Sequence, residues 1–120
     1  MAIQDKDKVD MIAEGRENGP IRLLMLEDRG WTMSPEQIEQ LEDKISAYYN
    51  FIDSGQLPRV VANSSGRKCI VELVCQHDPP PGLVKMFPQI AELFARLSVE
   101  FKVALVRSLD GESVEMPVFP

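Results

Sequence analysis

Residues 33–55, MSPEQIEQLEDKISAYYNFIDSG, commit the chain to one long amphipathic helix, because its start, body and end are each written in local chemistry. Ser34 is a favourable N-cap, Pro35 falls where a missing N–H costs nothing, and Gln37 completes an S-x-x-Q capping box. Met33 and Ile38 have the spacing of a hydrophobic staple across that start. Ile38, Leu41, Ile45, Tyr48 and Ile52 recur at steps of three and four and make one apolar stripe. Gly55 follows them where a left-handed C-terminal cap belongs. Such a helix must lay its stripe on something, and the rest of the chain supplies a sheet.

Residues 1–7 read as a loose lead-in. Residues 9–14 alternate as a strand, residues 15–19 are turn chemistry, and Pro20 opens a second strand over 21–27, so the two form an antiparallel hairpin. Trp31 stands near the staple and folds over the start of the helix. Beyond Gly55 come a loop with Pro58, a short extended piece at 60–62 and a turn at 63–66. The β-branched stretch 67–76 is the strongest strand signal, ended by His77-Asp78-Pro79-Pro80-Pro81-Gly82. A second helix over 83–98 carries the stripe Leu83, Phe87, Ile90, Phe94 and Leu97. Pro88 inside it predicts a kink; the alternative is that the helix begins at Pro88, after a separate turn. Residues 100–107 form a further strand, and residues 109–120 an apolar C-terminal tail. The expectation is a single domain over residues 1–120. Its class is α+β, two layers, a four-stranded sheet with two helices on one face, in the order ββαβαβ.

The two sides of that sheet differ. Val9, Met11, Ala13, Ile21, Leu23 and Met25, continued by Cys69, Val71, Leu73, Cys75, Phe101, Val103 and Leu105, are all apolar and mark the side the helices cover. The opposite positions mix charge with Leu24, Leu26, Ile70, Val74 and Val106, more grease than a wet face needs. Three readings are open: an interface with a partner, cover by the apolar tail, or scattered aliphatics of no consequence. A partner would most simply be a second copy about a two-fold axis.

Reactive groups are sparse. With apolar residues at 44 % and charged residues at 27 %, the composition is that of a soluble globular chain. A net charge of −6 argues against nucleic acid or an anionic membrane as partner. The charged N-terminus has no run long enough for a signal peptide or a span, which predicts a cytoplasmic protein. Cys69 and Cys75, about 20 Å apart if they share a strand, cannot pair with each other and read as buried thiols. The lone histidine excludes a His-rich metal site, and neither a metal nor a cofactor is expected. His77, at the end of the strongest strand, could serve as a general base, with Tyr49 and Trp31 lining a pocket; a surface turn and core-edge packing are the plainer readings.

Val9-Asp10-Met11-Ile12, then Leu23-Leu24-Met25-Leu26 running to Gly30-Trp31, then Leu41-Glu42-Asp43-Lys44-Ile45 with Tyr48, Phe51-Ile52, Ser54-Gly55 and Leu57, together resemble a family of small bacterial proteins of unknown function. The likeness covers most of residues 9–57 and runs more loosely to about 107; the tail lies outside it. It implies a bacterial cytosolic protein and brings no activity or site residues. The expected function is a protein–protein interaction or assembly module, a homodimer or bound to another protein. The alternative is a small-molecule-binding protein or enzyme with its site at the strand ends near His77.

Overall fold

Local chemistry builds the first helix as its sequence dictates. In the computed structural model, which describes residues 11–14, 19–61, 67–109 and 112–119, α1 spans Pro35–Asp53. The Ser34 hydroxyl accepts from the Gln37 backbone N–H at 3.2 Å. The reciprocal half of the capping box is displaced. The Gln37 side-chain oxygen accepts from the backbone N–H groups of Thr32 (2.8 Å) and Met33 (3.2 Å), while the Ser34 N–H turns to the Thr32 hydroxyl (3.3 Å). At the other end Gly55 takes φ 76°. Its N–H donates to Ile52 and that of Gln56 to Phe51, both at 3.2 Å, which is a Schellman closure. Leu41, Ile45 and Tyr48 are buried as the stripe requires, and with them Gln37 and Lys44. The Lys44 ammonium lies 5.8 Å from the Tyr48 ring centroid.

Five strands form one mixed sheet in the order β1-β2-β3-β4-β5: Met11–Glu14, Ile21–Glu27, Cys69–Cys75, Glu100–Leu109 and Glu112–Phe119. The central three run parallel, and each margin is an antiparallel hairpin. The four-stranded expectation is thus corrected to five, because residues 112–119 of the tail pair with β4. Pro117 sits on this outermost strand, the one place in a sheet where a residue without an N–H is tolerated, and a bulge lies at Val103/Ala104.

The faces of β1 are also corrected. Ile12 stands opposite Leu23 and packs on the core, whereas Ala13 shares the outer side with Arg22; the register aligns Met11 with Leu24. Both alternating sets of β1 contain apolar residues, so the pairing register chose between them, and a slip of one residue exchanges the faces. Val9 and Asp10 lie outside the described residues.

The connections carry four helical segments among the described residues, not two. A single turn, α2 (Leu57–Val60), with Pro58 in its first turn, takes in the first residue of the expected extended piece at 60–62; Val61 is extended, and Ala62 lies outside the described residues. The expected kinked helix over 83–98 is divided into α3 (Pro81–Val84) and α4 (Phe87–Ala95). Pro88 occupies the first turn of α4, where its ring meets no preceding carbonyl, so the chain breaks before the proline rather than bending at it. Ser98, at φ 59°, closes α4 in the same way as Gly55 closes α1: Ser98 N–H donates to Ala95 (3.0 Å) and Val99 N–H to Phe94 (3.1 Å).

Between helices and sheet, Phe87, Phe94, Phe101 and Phe119 form an aromatic cluster with centroid separations of 5.7 to 6.2 Å. Tyr48 crosses the layer and donates its hydroxyl to the Leu24 carbonyl of β2. Cys69 and Cys75 are buried free thiols, as expected.

Candidate functional site

The carboxyl ends of β2 and β3 meet the start of α1, the position at which open sheets often place ligands. The register sets Glu27 beside Cys75. Glu27 is 1 % exposed, and its carboxylate is satisfied from one side by Arg29. The Arg29 backbone N–H (3.0 Å), Nε (3.0 Å) and Nη2 (2.9 Å) all donate to it. Nη2 also donates to the Gln40 side-chain oxygen at 2.7 Å, tying the loop to α1. The Glu27 bond raises the Arg29 guanidinium above its ordinary value, against a smaller opposing effect of burial. Beside this clasp, buried Gln37 receives Thr32 and Met33 and donates its Nε2 to the Gly30 carbonyl (3.2 Å). The polar niche of about 400 Å³ bounded by Arg29, Thr32, Ser34 and Gln37 is therefore lined by groups already bonded to one another.

Of the residues singled out in the sequence, Trp31 and His77 do meet. The Trp31 indole N–H donates to the His77 carbonyl at 3.2 Å, so the contact is made by the backbone while the imidazole lies on an exposed residue. Cys75, two residues earlier, is held protonated: burial first, and the Glu27 carboxylate second, push its thiol up to about 12, with a smaller lowering from the Trp31 indole. That is the opposite of what a nucleophilic thiolate needs. Tyr49 stands apart, nearly four helical turns beyond the start of α1, its ring 6.3 Å from that of Phe94. Trp31 and His77 are thus brought together, and Tyr49 packs elsewhere, against Phe94.

The outer face of the sheet is more suggestive. Leu24 (9 % exposed) and Ile70 (6 %) are already buried within the chain. Leu26, Val74 and Val106 are half-buried. Register places Leu26 beside Val74, Val74 beside Ala104, and Ala104 beside exposed Pro117, with Val106 the next outward position on β4. An apolar row thus crosses four strands on the side away from the helices. Below it, Arg22 pairs with buried Glu72 and lies 3.6 Å from Glu115. Sequence reasoning found the apolar residues of this face but not that ion group, because Arg22, Glu72 and Glu115 come from strands far apart in the chain.

Among the described residues no group of three or more His, Cys, Asp or Glu side chains is placed to hold a metal ion, and no helix is long and apolar enough to cross a membrane. The sequence model of a family described as "Family of unknown function (DUF6572)" matches residues 1–107, a stretch that contains the likeness noted above and ends where it ends. No curated protein and no solved structure matches the chain.

Proposed function

The chain thus belongs to that family of unknown function, and we propose that it works as an assembly module whose outer sheet face meets a second copy about a two-fold axis. The observation that carries this reading is the row Leu26–Val74–Ala104–Pro117, apolar across four strands and covered by no described helix. An isologous contact would set each row against its twin, so one surface serves both sides. Arg22, half-exposed beside Glu72 and Glu115, supplies a polar margin. Pairing through the open edge of β5 is opposed by Pro117, whose ring interrupts the ladder. Buried Cys69 and Cys75, not joined in a disulfide, suit a reducing compartment, which supports a cytoplasmic setting. A small-molecule site near His77 draws no comparable support, since the thiol beside it is held protonated.

Sedimentation of the full chain tests the reading. Wild type should run as a dimer in the micromolar range, and Val74→Glu, which puts two carboxylates across the axis, should run as a folded monomer. A wild-type monomer up to about 100 μM, where only affinities weaker than about −5.5 kcal/mol escape detection, overturns it.

A further inference from the structure

On the opposite side of the molecule, α1 and α4 lie over the same sheet face and leave between them a groove of about 500 Å³. Its floor is apolar, with buried Ile45 from α1 and Ile90 from α4, and half-buried Met86 and Leu93 along the second wall. Its rims are charged: Glu42 on α1, Glu92 and Arg96 on α4. None of these three has an ion-pair partner among the described residues. We infer that this groove docks an amphipathic helix of another protein, one that lays an apolar ridge between α1 and α4 and carries lysine or arginine along its flanks.

The shape argues for a helix. Both walls are helical, so their side-chain ridges offer the surface into which a third helix interdigitates, and flexible Met86 adapts to the inserted side chain. The charge selects which helix. Outward from the groove α1 continues with Glu39 and Glu36, all exposed, while Lys44, which would have offset them, is buried beneath. A second copy of this chain would bring Glu42 and Glu92 against their own kind on a molecule of net charge −6. A basic helix gains at both rims, and Arg96 leaves room for one acidic residue that would fix its direction. This surface does not depend on the outer-face dimer, so either can fail without the other.

The test is a titration of the isotope-labelled full chain, followed by amide NMR, with two synthetic 18-residue helices that share a leucine ridge and differ in lysine or glutamate flanks. The lysine peptide should move amides of α1 and α4 around Glu42, Ser46, Ile90 and Leu93, and bind at least about tenfold more tightly than the glutamate peptide. Glu42→Gln with Glu92→Gln, both at exposed positions that folding does not need, should weaken binding about three- to tenfold and flatten its salt dependence. Leu93→Glu should abolish it. Shifts spread over the whole acidic surface, equal binding of the two peptides, an unchanged double variant, or concentration-dependent shifts of the groove without peptide would each overturn the proposal. Val74→Glu should leave the titration unchanged, which separates this surface from the outer face.

Discussion

Arg22 of β2 and Glu115 of β5 approach to 3.6 Å, although β3 and β4 separate their strands. Through the register Arg22 aligns with Glu100 and Glu115 with Val106. On a flat sheet that offset corresponds to roughly 25 Å between backbones, from about 4.8 Å per strand and 3.3 Å per residue. The sheet is therefore coiled along this diagonal, and the Glu115 end of β5 is turned over the outer face. Only part of the tail acts as cover; the row at Leu26 and Val74 stays half-open.

The two ends of this ion group should behave differently. The Glu72 side chain is 7 % exposed, so Arg22→Gln leaves a buried carboxylate without its cation and should cost about 1–3 kcal/mol. Glu115→Gln removes a half-exposed charge and should cost no more than about 0.5 kcal/mol. Urea midpoints at constant m distinguish them.

The Tyr48 hydroxyl is the polar tie between α1 and β2. Tyr48→Phe keeps the ring in place and removes the bond to the Leu24 carbonyl, so stability should fall by about 0.5–1.5 kcal/mol in thermal or urea unfolding.

Gly55 and Ser98 occupy the same left-handed position of the same closure, but only one is a glycine. Ser98→Gly should stabilise the fold by about 0.5–1 kcal/mol, and Gly55→Ala should destabilise it by about 1 kcal/mol. Nothing stands within 4 Å of a side-chain carbon built at Gly55, so the effect there is conformational and not steric.

Burial raises both thiols, Cys75 to about 12. The unfolded chain releases these protons near its ordinary thiol value, the folded chain later. Stability from Cys75 is therefore complete below about pH 8.5 and is lost as pH rises toward about 12, by up to about 1.4 kcal/mol per pH unit, and Cys69 acts in the same direction. Urea midpoints between pH 7 and 10.5 should fall with pH, and the slope should shrink in Cys75→Ala. In native protein at pH 8, iodoacetamide should label Cys75 far more slowly than in urea.

These particulars show what a sequence carries. α1 was legible from end to end because Ser34, the stripe and Gly55 act within a few residues of each other. The side chain of Gln37 was only half legible, since its partners lie in a loop whose path the tertiary fold decides. The face of β1 rested on a single register step between Met11 and Ile12, each apolar. Pro88 misled because an interior proline predicts a kink, whereas here it lies in a first turn, where it starts a helix. Lys44 lies outside the apolar stripe that the sequence shows, yet the helix turns it inward.

The parallel centre of the sheet has a kinetic consequence. The seams β1–β2 and β4–β5 join strands that follow one another in sequence and can zip from neighbours. The seams β2–β3 and β3–β4 close only after the intervening backbone has wound back through its helices, so their entropy must be surrendered before any bond repays it. Refolding speed should then follow how readily α1 nucleates, and a weakened Ser34 cap would show itself more in the refolding arm of a chevron than in the unfolding arm.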